Sequence, residues 1–403
     1  MKKTLTKLNI PLIAVVIFLL ELSLVNTGCK KDTDQPQVDK NTVNSSIMKA
    51  SKPIDSLAPH SYEQVTLVSD VSGFGASRTD PNLLNPWGIA IAPNGAFWIA
   101  TNHSGSALIY NKKGNQVHMP VDIPLNGVAH GASPTGIVFN NTEGFIIPSV
   151  HERSRFIFVT EDGIVTAWAS GDSTIKVVDR SASGTVYKGL ALVNDGSESH
   201  LYATDFHNAK IDVYDEKFHL VTGITFSDPG IPTGFAPFNI QYIDGKLYVT
   251  YAKQKPDKMD DLAGPGNGYV DVYKTNGTLI KRLASKGTLN SPWGITEVSF
   301  GFGQGRDMLL IGNFGDGRIN VFGEDGSFKG QLAHSGTPIS IDGLWTVKEV
   351  DREGNWADED GKVRVYFTAG PGEESHGLFG YIIIQGKDND HDRDKLLSFF
   401  DHH

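Results

Sequence analysis

Asp205, Asn239, Asn313 and Asp342 carry the oxygen-bearing side chains that a hard cation takes as ligands. Brought together they would offer carboxylate and amide oxygens to Ca²⁺, which takes about 6–8 such ligands in flexible geometry. The competing expectation is that they form Asx turns capping strand ends. His103, His207 and His376 offer neutral imidazoles that bind Zn²⁺ or Cu²⁺ or act as general bases, the alternative being partly exposed histidines engaged in hydrogen bonds. Trp87 and Trp293, each followed by Gly-Ile, suit stacking on a sugar-like ligand or packing between neighbouring elements. Other patterns lack their context. Gly301-Phe302-Gly303-Gln304-Gly305 has no strand and helix around it to make a phosphate loop. Asp388, Asp390, Asp392 and Asp394 lack the turn glycine of a calcium loop and read as a charged tail. No Gly-x-Ser-x-Gly elbow or His-Glu-x-x-His pair is present.

The elements that must position these groups form a repeat. Each unit has a polar or Pro-Gly entry, an apolar strand, a tight turn, an aromatic-rich strand, a polar loop and two further strands. Unit one runs through Asn85-Pro86-Trp87-Gly88-Ile89, Asn94-Gly95, Phe97-Trp98-Ile99 and Ala107-Leu108-Ile109-Tyr110. Lys188-Gly189-Leu190 to Ile211-Asp212-Val213-Tyr214, Phe238-Asn239-Ile240 to Val270-Asp271-Val272-Tyr273, and Ser291-Pro292-Trp293-Gly294-Ile295 to Ile319-Asn320-Val321-Phe322 repeat it. Looser copies surround Gly136 and Gly343. Taking Gly88, Gly136, Gly189, Asn239, Gly294 and Gly343 as equivalent gives spacings of 48, 53, 50, 55 and 49 residues. Four-stranded units of that period predict an all-β, six-bladed β-propeller over 62–385, with Asn-Gly and Asp-Gly supplying the hairpin turns. The unassigned strand Glu63–Val68 is expected to close the last blade, leaving no free edge.

In such a fold, with strands A to D running from axis to rim, the segment before A and the B–C loop share one face. That face is expected to carry Asn85, Thr135, Lys188, Asn239, Ser291 and Asp342 before strand A. Between B and C it carries Asn102, His103, Glu161, Asp162, Asp205, His207, Asn208, Lys253, Asn313, Asp316, Glu374 and His376. The opposite face has ordinary hairpin turns. The loop-rich face is therefore the candidate ligand surface, with Asn85, His103, Lys188, Asp205, His207, Asn208, Asn239, Lys253, Asn313, Asp316, Asp342 and His376 as its site residues. The insertion from Lys253 to Gly268 reads as a lid over it or as a solvated loop.

The Pro-x-Gly-Ile opening, Gly turn and aromatic strand resemble NHL-type and gluconolactonase-type six-bladed propellers. Asp80–Gly88, Ala203–Asn208, Tyr248–Gln254, Gly312–Arg318 and Ile341–Trp345 resemble a family of exported bacterial propellers of unknown function. This resemblance implies fold and export; in gluconolactonase-like propellers a cation polarises a lactone carbonyl. It leaves two readings: a ligand-binding or protein-interaction module, or a metal-dependent hydrolase or lyase acting on a lactone or sugar-derived substrate with Ca²⁺ or Zn²⁺. A structural surface protein is the third.

The first residues read as an address. Lys2, Lys3 and Lys7 precede an apolar run from Ile10 to Leu20, too short to span a bilayer, and then Asn26-Thr27-Gly28-Cys29. This resembles the lipobox of bacterial lipoproteins and implies cleavage of 1–28, lipidation of Cys29 and anchoring at the cell envelope; a plain secretory signal is the alternative. Residues 29–61 read as a flexible tether and 386–403 as a charged tail. Cys29 is the only cysteine, which excludes an intramolecular disulfide framework. With 36 Lys and Arg against 46 Asp and Glu, the net charge of −10 and the lack of a basic stripe disfavour nucleic acid as a partner. A monomer binding a small molecule or a protein is expected.

Overall fold

The computed structural model describes residues 61–194, 196, 198–298, 302, 308–350 and 362–385. Cys29, the tether up to residue 60 and the tail lie outside the described residues. Among the described residues the chain forms six blades around one axis, with two further two-stranded hairpins, Ile146–Ile147 with Glu152–Arg153 and Ala333–His334 with Thr337–Pro338; the only helix among these residues is the 3₁₀ turn Ser181–Ser183. Blade 1 comprises Pro86–Ile91, Phe97–Thr101, Ser106–Tyr110 and Val121–Asp122; blade 2, Pro134–Phe139, Phe156–Thr160, Ile164–Trp168 and Ile175–Asp179. Blade 3 has Tyr187–Asn194, Ser199–Asp205 and Lys210–Tyr214; blade 4, Phe235–Ile243, Lys246–Lys253, Gly268–Tyr273 and Leu279–Ser285. Blade 5 has Pro292–Val298, Met308–Asn313, Ile319–Gly323 and Phe328–Gln331. Blade 6 joins Leu344–Glu349, Arg364–Ala369 and Leu378–Gln385 to the N-terminal strand Ser61–Ser69.

The expected closure is present. Ser61–Ser69 pairs antiparallel with Leu378–Gln385, from Ser61 opposite Gln385 to Ser69 opposite Leu378. Asp70, just beyond it, accepts from Gly377 N at 3.0 Å and lies 2.8 Å from His376 Nδ1. His376 thus fastens the closing strand. Blade 3 departs from the expected four strands because turn formers at Asp228-Pro229-Gly230 and Pro232 break the outer segment, Pro lacking the ladder N–H. Val221 N still bonds Val213 O at 2.8 Å, and Val221, Ile224, Phe226 and Ile231 pack onto the adjoining core.

Strand pairing sets the true equivalences around the axis. Pro86 faces Thr101, Pro134 faces Thr160, Tyr187 faces Asp205, Pro237 faces Tyr251, Pro292 faces Asn313 and Leu344 faces Ala369. Two residues on, the third position is therefore Gly88, Gly136, Gly189, Asn239, Gly294 and Thr346. Gly343 corrects to the residue before the strand, equivalent to Asn85 and Ser291; all three have positive φ (66°, 45° and 47°). Third-position glycines are demanded by proximity between blades. A Cβ on Gly88 would lie 2.7 Å from Thr135 O, and one on Gly294 2.6 Å from Trp345 O. Where the residue is larger it bonds across the seam: Asn239 Nδ2 to Trp293 O at 2.8 Å and Thr346 Oγ1 to Trp87 O at 2.7 Å.

Gly88→Ala must push blade 2 backbone outward, at a cost of about 1–3 kcal/mol. Gly223 has open space around it, and Gly223→Ala is expected within about 0.5 kcal/mol of the wild type. Urea melts of the two variants measure the difference; equal stability would remove the seam argument.

Candidate functional site

The second position of each inner strand points to the axis. It holds Trp87, Thr135, Lys188, Phe238, Trp293 and Trp345 in blades 1 to 6, all with little or no exposure. Their rings make a plug: Trp345 stacks on Trp87 with centroids 3.4 Å apart, and Trp293 meets both edge-on at 5.8 and 5.9 Å. Trp87 and Trp293 are thus axial packing residues. A second layer comes from the residue that follows each strand B partner in the pairs around the axis: Asn102, Glu161, Phe206, Ala252, Phe314 and Gly370. Phe314, partly exposed, stacks on Trp345 at 3.9 Å, so Phe314, Trp345 and Trp87 form a column.

Lys188 ends that column. Its ammonium lies 5.1 Å from the Trp87 ring centroid and 5.9 Å from that of Phe206, close enough for cation–π attraction. It bonds Glu161 of blade 2, and Asp260 Oδ1 of the blade 4 insertion at 3.0 Å. Burial works against the ammonium, but the two carboxylates outweigh it and hold Lys188 above the usual lysine range. Asn102 Nδ2 donates to Glu161 Oε2 at 2.9 Å. Gln254 Nε2 donates to Phe206 O at 2.6 Å, so the insertion is tied to blade 3 at two points. Asp261 beside it is buried, which pushes its carboxyl up against the opposing effect of Ser291 and Lys188.

Blade 6 supplies the opposite wall. Gly372, Glu373 and Glu374 have successive φ of 67°, 54° and 65°, a left-handed turn that side chains with a Cβ adopt at a cost of roughly 1–2 kcal/mol each. It is held by Glu374 N to Gly370 O at 3.1 Å, His376 N to Pro371 O at 3.1 Å, and Gly372 N to Asp342 Oδ2 at 2.9 Å. The turn delivers the Glu374 carboxylate to Asn85, whose Nδ2 donates to Glu374 Oε2 at 2.6 Å. Asn85 is fixed in turn by Trp345 Nε1, 2.8 Å from its Oδ1, and its Nδ2 lies 3.5 Å from His103 Nε2. Burial pushes Glu374 up to about 7, with the Asn85 bond and Lys188 pulling down and Glu161 and Asp260 pushing up. One electrostatic unit therefore links Asn85, Glu374, Lys188, Glu161 and Asp260.

The structure divides the sequence-derived site residues. Asn85, His103 and Lys188 join this unit, although Lys188 lies within strand A rather than before it. Asp205 is fully buried and accepts from Thr185 Oγ1 at 3.1 Å and Asn208 Nδ2 at 2.8 Å, while Asn208 also reaches Ser183 O at 3.3 Å. Asn313 Nδ2 donates to Thr288 O at 2.8 Å and to Asp316 Oδ1 at 3.0 Å. These are the Asx-type caps of blades 3 and 5. Asn239 lies inside its strand below the aromatic plug, and Asp342 braces the left-handed turn. The four oxygen ligands are thus not gathered, and no three His, Cys, Asp or Glu among the described residues are placed to hold a metal ion. Nor do the histidines share partners. His103 faces Asn85, His376 faces Asp70, and His207 has its Nδ1 buried without a partner. Lys253 ends strand B of blade 4, where the insertion begins. Glu374, Glu161 and Asp260 were visible as loop residues, but only alignment of the strand B ends singles out the position of Glu161.

No family model matches the chain. It is 35% identical to uncharacterized protein R648 of Acanthamoeba polyphaga mimivirus over 324 residues, covering 76% of each. Uncharacterized protein L690 of the same virus is 32% identical over 323 residues, 76% of this chain and 82% of that protein. Among solved structures, a streptogramin B lyase aligns at 10% identity and a TM-score of 0.47, over 80% of this chain and 97% of that one. A virginiamycin B lyase from Staphylococcus aureus aligns at 14% and 0.48, over 80% and 99%. These two carry no chemistry to this chain.

Because Glu374 rises from an ordinary 4.5 to about 7 on folding, the folded state holds its proton more tightly. Its contribution is present below the unfolded value and is lost as pH rises through about 7, by at most about 3 kcal/mol. Glu374→Gln is expected to match the wild type near pH 4 and to melt several degrees higher near pH 8. Parallel melting curves across the window would refute the shifted carboxyl.

Proposed function

The chain belongs to the family of the uncharacterized mimivirus proteins R648 and L690, and on that premise we propose that its loop-rich face is a binding module for a small organic cation. The observation that carries this is the pairing of Glu161 and Asp260 with one ammonium, Lys188, while a third carboxylate, Glu374, bonds Asn85 within reach of the same charge. Three carboxylates against one cation leave an acidic mouth once Glu374 is ionised. Partly exposed Phe314, at the other end of the aromatic column from Lys188, offers a flat apolar surface on the same loop-rich face. A ligand bearing an ammonium group and an apolar body matches both halves. The blade 4 insertion, held on Lys188 through Asp260, rims the site.

A second reading, general acid–base catalysis on the bound ligand, is favoured by one observation. Glu374 is held on a strained left-handed turn with its carboxyl near 7, where an acid–base group works best at neutral pH. This reading takes the hydrolase or lyase alternative without using the dispersed Asp205, Asn239, Asn313 and Asp342 as metal ligands.

The module is exported and held at the cell envelope through lipid on Cys29. Support comes from the basic start at Lys2, Lys3 and Lys7, the apolar run and Gly28-Cys29.

In a melting-temperature panel, small ammonium compounds are expected to stabilise the protein near pH 8 and lose roughly tenfold in affinity near pH 5, where Glu374 is protonated. Glu374→Gln should flatten that dependence. Neutral polyols binding as well as amines would sink the cation reading, while a turnover lost in Glu374→Gln with binding retained would favour the catalytic one. Cys29→Ala should move the protein from membrane to soluble fractions; retention in the membrane would end the lipid assignment.

A further inference from the structure

Below the aromatic plug the axis continues as a narrow channel of about 20 Å³, lined by Gly88, Gly136, Asn239, Gln241, Thr346 and Lys348 among others. That is room for about one water. At the turn-rich face the channel meets a cavity of about 390 Å³ whose walls are the ends of the inner strands of blades 4, 5 and 6. Gln241, Ile295 and Lys348 line both spaces. This end of the axis is separate from the acidic mouth.

The Lys348 ammonium has no hydrogen bond or ion pair with any described residue. Burial alone holds its ammonium below the usual lysine range. The side-chain amide of Gln241 is likewise without a partner among the described residues, and both residues line the same space. Glu297 and Glu349 also line the cavity, and neither is free. A partly buried cation without a counter-charge is costly, so an anion that reaches it through the cavity recovers the missing interaction. Ile243 and Ile295 place apolar wall beside the two donors, and the volume exceeds what a simple inorganic ion fills.

We propose that the turn-rich end of the axis is a second binding site, for a small monocarboxylate with a short apolar tail. The carboxylate accepts from the Lys348 ammonium and the Gln241 amide, and the tail lies along Ile243 and Ile295. The site is independent of the acidic mouth in both chemistry and place.

The test uses butyrate, its neutral isostere butyramide, and chloride, with binding to the full chain read by calorimetry and by melting temperature. Butyrate is expected to bind in the roughly millimolar range, and butyramide and chloride at least about tenfold more weakly. Lys348→Met should cost butyrate at least about tenfold in affinity while raising the melting temperature of the free protein, since it removes an uncompensated charge. Lys348→Arg should retain part of the binding, Gln241→Leu should weaken it about threefold to tenfold, and Glu374→Gln at the other mouth should leave it unchanged. Absent butyrate binding, equal binding of butyrate and butyramide, or unaltered affinity in a folded Lys348→Met protein would each overturn the proposal.

Discussion

The arrangement at the loop-rich mouth depends on one buried ammonium. Lys188 occupies an axial position that four of the six blades fill with an aromatic ring, and a cation there is tolerable only with its charge compensated. The compensation comes from outside its own blade: Glu161 from blade 2, Asp260 from the blade 4 insertion and the face of Trp87 from blade 1. Removing one partner of such a group typically costs about 3–5 kcal/mol, so the cation constrains loops that share no strand with it. Asp260 is drawn below the usual carboxylate range by Lys188 against the effect of its partial burial, while Glu374, without a cation of its own, is pushed up. Lys188 thus orders one carboxylate, while burial against its opposing pull leaves the other ready to change protonation.

The fold makes this possible by controlling how closely six strands approach. At the third position a glycine, or an Asn or Thr that bonds across the seam, lets each blade lie against the next. With the seams closed there, the second position projects to the axis and is filled by large rings in four of the six blades. The position after the strand B partner of each inner-strand pairing projects above them and lines the mouth, polar in blades 1 and 2 and apolar in blades 3, 4 and 5. Site asymmetry is written on a nearly symmetric frame.

Much of the frame was legible. A period near fifty with hairpin turns of the Asn-Gly type points to six blades, and Glu63–Val68 had nowhere to pair except the last of them. Lys188 and Asn85 were recognisable as unusual residues in a repeat. What failed did so for local reasons. Gly343 looked like the seam glycine, but the strand after it begins one residue later and Gly343 supplies the left-handed turn, as Asn85 and Ser291 do. Asp205 and Asn313 carry the same oxygens whether they bind a cation or cap a loop, and only their bonds to Asn208, Thr288 and Asp316 decide for capping. Histidines at matching positions face different partners: His103 lies against Asn85 and His376 against Asp70. Glu374 stood in a loop with no counterpart in other blades, and no residue pattern announces three consecutive left-handed residues when two are glutamates.

Burial keeps Glu374 close to its ionisation point at neutral pH, with Glu161 and Asp260 pushing the same way. Carbon-detected NMR titration of the Glu374 side-chain carboxyl, in the wild type and in Asp260→Asn, tests it most directly. The structure predicts a midpoint of about 7 in the wild type and a lower one once the neighbouring carboxylate is neutralised. A midpoint at the ordinary glutamate value, unmoved by Asp260→Asn, would contradict the coupling on which the proposed binding rests.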